Sequence, residues 1–446
     1  MTYQPEAVPV TSMPAPVGAP VVPGVGARLL DGAAVVPRSG TESLTGVTPQ
    51  DLAAHRVAYG PRPVRLGAAA DALVDDLERV SLTGRGGGHF PTAAKWRSIL
   101  RAGAGGTVVV NGAEGEPGCA KDAVLLQTRP HLVLDGLVSA IEATGAADGV
   151  VWLHDGAWAT ARAVSRALAE RAAAGESSSP IRVMLAPDRY LSGEGTSIIR
   201  TLEGGPTLPR WVADPARPWS PGHRPVLVNN AETMARVGLV SLVGASGYGA
   251  TSLLTVVNDT YRVVVEVGTD ATFEAVLAQA WRSPDGRAPT AVLLGGYGGS
   301  WVPWPRIARM PVDNGVLRGM GLSLGAGLLG PLTHDACGLE ESARLLRYLS
   351  DQSARQCGPC VFGLAAVADL ADQLTEGRLS RSGRSQLDRY VGEVSGRGAC
   401  RHPDGALRMY TSALEVFRED VHRHRKGRTC DAPRHSLMPL PEAVRA

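Results

Sequence analysis

Residues 107–118 read Thr-Val-Val-Val-Asn-Gly-Ala-Glu-Gly-Glu-Pro-Gly. Thr107–Val110 is a short β-branched and apolar run, the composition of a buried strand. It ends in an acidic turn, Asn111–Gly118, in which Glu114 and Glu116 alternate with small residues. The segments on either side set the strand in context. Upstream, Asp71–Val80 reads as a helix, followed by the loop Thr83–His89 and a second helical stretch, Thr92–Arg101. Downstream, Pro130–Thr144 fits a helix, Gly149–Leu153 a strand, Trp158–Ala173 a helix and Ile181–Leu185 a strand. Strands alternating with helices imply an α/β fold, with a largely parallel sheet covered on both faces.

Around residue 240 the pattern changes. Ser252–Asn258 and Tyr261–Val267 are consecutive strands about a turn at Asp259. A helix, Phe273–Trp281, and a strand, Thr290–Leu294, follow, the order of a small β-grasp-like module. From Cys337 onward the chain becomes helical, with Glu340–Leu349, Val361–Leu374 and a final helix from about Gly405 to Val421. That last helix carries Leu407, Tyr410, Leu414, Phe417 and Val421 on one stripe. The expected organisation is therefore a disordered tail over 1–40, whose prolines block helix and ladder alike, and an α/β domain over 41–240. A β-grasp-like module over 241–332, a helical bundle over 333–425 and a loose tail over 426–446 complete it. A chain of 446 residues exceeds what one core usually organises.

Composition narrows the function. A net charge of +2 gives no footprint for nucleic acid or an anionic membrane. No apolar run approaches the ~20 residues of a membrane span, and the amino end carries no readable targeting signal. Six cysteines in so long a chain suit metal or redox chemistry better than a disulfide framework, with the cytoplasm as the expected compartment. Glycine is enriched at 54 of 446 residues, against a typical ~7%, and the excess sits in loops where backbone can approach a ligand.

Four loops carry the candidate chemistry. Gly84-Arg85-Gly86-Gly87-Gly88-His89-Phe90-Pro91-Thr92, closed by Lys95-Trp96, resembles a dinucleotide fingerprint but lacks its third glycine and its preceding strand. An internal Arg and a following Lys favour an anionic ligand over a bare turn. The two carboxylates of Asn111–Gly118 would repel phosphate and suit ribose, ribityl or ring N–H groups, unless the turn is simply solvated. Ser192-Gly193-Glu194-Gly195-Thr196 and Val228-Asn229-Asn230-Ala231-Glu232-Thr233 complete the set. Paired asparagines fit the amide edges of a flavin, and fit backbone groups equally well.

The four motifs in this order closely resemble the FMN domain of the NADH-binding flavoprotein (F-type) subunit of respiratory complex I and related diaphorase subunits. The resemblance covers roughly residues 55–425. It implies that Gly84, Gly86 and Lys95 hold FMN phosphate and ribityl. Asn111, Glu114, Gly193, Asn229, Asn230 and Thr233 would complete the flavin pocket, with Phe90 and Glu116 meeting NADH. The chain departs from the pattern at Ala113, where the family has Asp, and at Gly195, where it has a second Glu. Ser98 stands where an aromatic is expected, and Val212 and Pro215 lie where the family's Lys and Phe are missing.

Cys357-Gly358-Pro359-Cys360, with Cys400, resembles the same family's iron–sulfur site, C-x₂-C-x₂-C with a distant fourth Cys. Ala354 occupies the first position, leaving three thiolates. A [4Fe–4S] cluster with another fourth ligand or a [3Fe–4S] cluster, a zinc site completed by His402, and a bundle without metal all remain open. Cys119, Cys337 and Cys430 fall outside the motif; of these, Cys337 is the candidate substitute ligand. The resemblance implies NADH oxidation by FMN, electrons passing to the cluster and then to a small iron–sulfur or ferredoxin-like protein, with no side chain acting as general acid or base. The alternative is a divergent noncatalytic or assembly subunit that keeps the fold.

Overall fold

The computed structural model describes residues 28–38, 44–176, 180–215, 217–428, 430 and 437–441. Among the described residues ten strands form two sheets: β1 (Ala34–Pro37), β2 (Thr107–Asn111), β3 (Asp148–His154), β4 (Ile181–Ala186), β5 (Val226–Asn230), β6 (Thr251–Val257), β7 (Tyr261–Gly268), β8 (Ala291–Leu294), β9 (Ser300–Pro303) and β10 (Leu328–Leu332). The expected strand at residue 107 becomes β2, inside a wholly parallel sheet ordered β4-β3-β2-β5. Its register places Asn111 directly opposite Asn230. The paired ends of β2 and β5 thus present both motif loops at one edge, the carboxyl ends of the strands, where open α/β sheets bind ligands.

Helices cover this sheet because their apolar residues recur on faces that turn inward. Leu132, Leu137 and Ile141 of Pro130–Thr144 and Val237 and Val240 of Ala231–Gly247 are buried in one core with Val108 and Val110. The domain boundary expected at 240 falls inside Ala231–Gly247, whose buried residues run to Ser241 and whose backbone kinks at Gly244 (φ 68, ψ 174).

The second sheet is ordered β1-β7-β6-β10-β8-β9, with β6 parallel to β10 and the other pairs antiparallel. The helix Phe273–Ala280 follows the β6–β7 hairpin as expected and buries Phe273, Val276 and Leu277. One strand corrects the sequence reading. The expected tail over 1–40 includes β1, whose Ala34, Val35 and Val36 pair antiparallel with Val264, Val263 and Arg262. This short apolar run has enough β-forming character to complete a sheet edge despite the proline-rich composition before it. Residues 1–27 of that expected tail lie outside the described residues.

The carboxyl-terminal bundle comprises Gly338–Asp351, Leu364–Thr375, Arg381–Val394, His402–Val416 and Arg418–His424. The last two were expected as one helix; the backbone breaks at Phe417 (φ −102, ψ 35). A π-helical turn, Pro359–Gly363, leads into Leu364–Thr375. The expected loose tail is corrected at 437–441, while 429, 431–436 and 442–446 lie outside the described residues. Met438 is fully buried, its N–H donates to Glu341 Oε1 at 2.7 Å, and the Pro439 carbonyl accepts from the Tyr297 hydroxyl. Among the described residues, no helix is long and apolar enough to cross a membrane.

Candidate functional site: a cavity at the strand ends and a thiol group beside it

A cavity of ≈ 770 Å³ opens at the carboxyl ends of β2 and β5, walled also by loops of the six-stranded module and by the start of helix His402–Val416. Gly86, Gly87 and Gly88 line one side, Asn111, Glu114 and Glu116 another, and Gly193, Glu194 and Asn230 the floor. The volume falls in the ~300–1,000 Å³ range of small-molecule sites.

Asn230 shows how local sequence builds this floor. It caps Ala231–Gly247, its Oδ1 accepting from the Thr233 N–H at 3.1 Å, and the Thr233 hydroxyl also donates to Oδ1. The same Oγ1 accepts from the Arg85 N–H at 2.9 Å, so Thr233 fixes the glycine loop in place. On the opposite wall Asn111 Nδ2 donates to the Gly193 carbonyl at 2.7 Å. Gly193 is required there: a Cβ would lie 2.1 Å from the Ala113 carbonyl oxygen. Glu194 caps Gly195–Leu202, accepting from the N–H groups of Thr196 and Ser197 at 2.8 and 3.0 Å.

A buried ion network reaches the cavity through Lys121 and Asp122, which line it, with Glu232 and Arg236 behind them. Lys121 Nζ is 3.1 Å from Asp122 and 3.0 Å from Glu232, and Arg236 meets Glu232 at 2.8 Å. Burial alone would weaken the Lys121 ammonium, but Asp122 and Glu232 hold its pKa above the ordinary lysine value. Burial likewise opposes the Glu232 carboxylate, and Lys121, Arg236 and Arg85 overcome it, holding its pKa down to about 2. Asp122 further accepts from the Glu232 N–H at 2.7 Å and from Asn230 Nδ2. Lys121, Asp122 and Glu232 carry no assigned role in the sequence motifs; the signal that marks them is ionic residues written inside otherwise apolar stretches.

Glu114 stands apart from this saturation. One oxygen accepts from the Ala123 N–H at 3.1 Å, while Oε1 is buried with no partner. Burial, then the charge of Asp122, pushes its pKa up to about 7. Arg85 Nε is also buried without a partner. A buried acceptor and a buried donor left open on the cavity wall are what a polar ligand would satisfy.

The other expected site residues are distributed unevenly. Glu116 lines the cavity, yet both its oxygens are engaged, one by the Tyr190 hydroxyl at 2.6 Å and one by the Tyr297 N–H at 2.7 Å. Asn229 sits beside Trp96, whose Nε1 lies 3.3 Å from the Asn229 amide oxygen in the orientation that satisfies both groups. Lys95 is held down to about 8 by burial, partly offset by Glu194, and donates to the Val228 carbonyl behind β5. Gly84 closes its loop by donating to the Phe90 carbonyl at 2.9 Å. Asn229, Lys95, Gly84 and Thr233 support the wall without lining it, and Phe90, 53% exposed, does not line it either. At Gly195, the departure from Glu, an added Cβ meets nothing within 4 Å.

Cys360 is buried and Cys357 and Cys400 half-buried, close enough that both raise the Cys360 thiol and Cys357 raises that of Cys400. Burial, followed by the neighbouring Cys357, pushes the Cys360 thiol up to about 12, and the Arg355 N–H bonded to its sulfur works the other way. Arg355 adopts φ +49, aiming that N–H while Gln356 ties the loop to the Pro209 carbonyl at 2.7 Å. The expected zinc alternative is not favoured. A single tetrahedral zinc needs sulfurs about 3.8 Å apart, and these ligand atoms do not gather within 4.8 Å of one another. His402 instead places Nε2 2.7 Å from the Leu349 carbonyl. Cys337 is not the substitute ligand, since its Sγ meets Cys430 Sγ at 3.3 Å and His424 Nε2 at 3.7 Å, and it lies at the opposite end of the 14-residue helix Gly338–Asp351 from the segment that leads to Cys357.

Both parts of this site match known families. Residues 77–239 match the family described as the Nuo51 FMN-binding domain, and residues 340–424 match the NADH-ubiquinone oxidoreductase-F iron-sulfur binding region. The chain is a divergent relative of the F-type flavoprotein subunits. The F subunit of NADH-quinone oxidoreductase in Streptomyces coelicolor is 28% identical over 388 residues, covering 82% of this chain and 85% of that protein. Its Escherichia coli counterpart is 27% identical, covering 81% and 86%. The NADP-reducing hydrogenase subunit HndC of Solidesulfovibrio fructosivorans is 25% identical, covering 81% and 77%. In fold, the F-type relative resembles an NAD+-reducing [NiFe]-hydrogenase chain in the H2-reduced state, with TM-score 0.71 at 23% identity over 81% of this chain. It spans 63% of that hydrogenase chain's length. The air-oxidised form gives 0.73 at 22% identity, covering 90% and 73%.

Proposed function

We propose that this F-type relative carries FMN in the cavity at the strand ends, oxidises NADH there, and passes electrons through an iron–sulfur group at Cys357, Cys360 and Cys400. The observation that carries the reading is the open polar pair on the wall, Glu114 Oε1 and Arg85 Nε, in a cavity of flavin-sized volume. FMN, when bound, would accept a hydride and release single electrons.

The chain's own residues would bind and orient. Asn111, Gly193 and Asn230 shape the floor; Glu114 offers an acceptor, or near neutral pH a proton at Oε1, to a ring or ribityl group. Gly86 and its neighbours bring backbone close to the ligand, and we keep Lys95 as the phosphate-side cation on resemblance alone. Glu116, tied to Tyr190 and Tyr297, would set the spacing between the parallel sheet and the six-stranded module rather than swing toward a nucleotide. The three thiols suit three corners of an iron–sulfur cluster, and the fourth corner, at Ala354, offers no side-chain ligand. Val361 and Phe362, exposed beside Cys360, form the face where we place a small iron–sulfur or ferredoxin-like partner within a larger redox complex. Six free cysteines support a cytoplasmic location.

A second reading, a noncatalytic subunit, draws on the same departures: the engaged oxygens of Glu116, the missing carboxylate at Gly195 and the missing thiol at Ala354. The absorbance spectrum of the purified chain separates the two. Flavin bands that bleach when NADH is added support the enzyme, whereas a colourless protein, or a flavin that NADH leaves oxidised, rules out NADH oxidation.

A further inference from the structure

At the base of the bundle, away from the three thiols just described, the structure gathers Cys337, His424 and Cys430, and we propose that they bind zinc. Among the described residues this is the one group of three potential ligands whose atoms all lie within 4.8 Å of one another. Cys430 Sγ is 3.3 Å from Cys337 Sγ and 3.2 Å from His424 Nε2, and Cys337 Sγ is 3.7 Å from the same nitrogen. A tetrahedral ion with Zn–S of about 2.3 Å and Zn–N of about 2.0–2.1 Å sets these edges near 3.8 and 3.6 Å. The observed triangle is within a few tenths of an ångström of that geometry. A disulfide would require about 2.05 Å between the sulfurs.

The histidine supports the assignment independently. Its Nδ1 lies 2.7 Å from the Thr375 carbonyl, an acceptor only, so Nδ1 carries the proton and Nε2 turns a lone pair toward both sulfurs. A backbone carbonyl fixing the far ring nitrogen is the usual outer support of a metal-bound histidine. His424 is fully buried, and Leu339, Leu374 and Val421 pack around the group, so among the described residues the ring has only the Thr375 carbonyl and the two sulfurs as polar neighbours, while Cys430 keeps a solvent-facing side. Two thiolates and an imidazole are soft and borderline ligands, which select zinc over calcium or magnesium. Binding releases two thiol protons and leaves a neutral Cys₂His–zinc unit. The fourth corner falls to water or to Asp420, whose Oδ1 is 3.9 Å from Cys430 Sγ.

The ligands come from the start of Gly338–Asp351, the end of Arg418–His424 and the irregular segment beyond. The ion would therefore pin the end of the chain to the base of the bundle. Cys337 and Cys430 flank the matched iron–sulfur region at 340–424, outside its span.

The test is metal analysis of the full-length chain, purified without chelator, with zinc, iron and sulfide measured on one sample. The expected result is stoichiometric zinc that Cys430→Ser lowers to below about a tenth of the original, with iron unchanged. Cys357→Ser should do the converse. Cys430 lies half-buried in an irregular segment, so its replacement remains informative even if Cys337→Ser does not fold. The proposal is overturned if zinc survives Cys430→Ser, or if the chain holds none and takes up none from added zinc chloride. A mass two hydrogens low, mapping to Cys337 and Cys430, would overturn it in favour of a disulfide.

Discussion

The floor of the cavity and the tip of the bundle make opposite use of buried chemistry. At the cavity, Lys121, Asp122, Glu232 and Arg236 meet one another so completely that the ions serve as framework. At the tip, Cys357, Cys360 and Cys400 have one another and an Arg355 N–H, with an alanine where a fourth thiol would complete the set. The first region is fixed before any ligand arrives; the second depends on what it holds.

Breaking the framework should have the largest effect. Lys121→Met leaves Asp122 a buried carboxylate without its cation and Glu232 with Arg236 alone, and should cost about 3–5 kcal/mol of stability. Chemical denaturation measures this directly, and a loss below about 1 kcal/mol would mean that the network is not the scaffold described here. At the tip, Ala354→Cys rebuilds C-x₂-C-x₂-C. We expect anaerobically prepared wild-type protein to contain iron and sulfide and to give a three-iron EPR signal after air exposure. The variant should retain a four-iron cluster instead. An unchanged signal would separate the loss of a thiol at position 354 from the behaviour of the cluster.

Smaller effects sharpen the contrast within the cavity. The Glu114 pKa is raised from its unfolded value of about 4.5 to about 7. The folded state therefore holds that proton more tightly, and the ligand-free protein should lose stability as pH rises through this window. Glu114→Gln should flatten the melting temperature between about pH 5 and 8 while weakening flavin retention. A slope that persists in the variant would assign the titration to another group. The smallest change is expected from Gly195→Glu. The site is open, and a carboxylate at the first position of Gly195–Leu202 suits the helix amino terminus. The apparent KM for NADH should fall severalfold with stability unchanged; an unaltered KM would mean that the missing carboxylate at Gly195 does not bear on nucleotide binding.

What could be read from the sequence followed from distance along the chain. β2 and its turn were legible because strand and loop adjoin, and the register of Asn111 opposite Asn230 then brought separate motifs together. The partnership of Lys121 with Glu232 was not legible, since charges far apart in sequence look like solvated surface until the sheet unites them. β1 was hidden by the prolines before it, and the docked Met438 by a tail that otherwise reads as polar and loose. Cys337, His424 and Cys430 have no motif spacing at all; only the bundle's closure makes them neighbours. Phe90, a motif residue, is exposed and outside the cavity lining.

The cavity's walls also carry a consequence for biosynthesis. They come from segments that begin at Arg85 and end at Arg408, and the six-stranded sheet joins β1 to a partner strand more than two hundred residues later. The parallel sheet can assemble on the ribosome once β5 emerges, but the pocket has no roof until the bundle has been translated. Any small molecule destined for it must therefore enter a nearly finished polypeptide, during or after the last closure, rather than guide the early steps of folding.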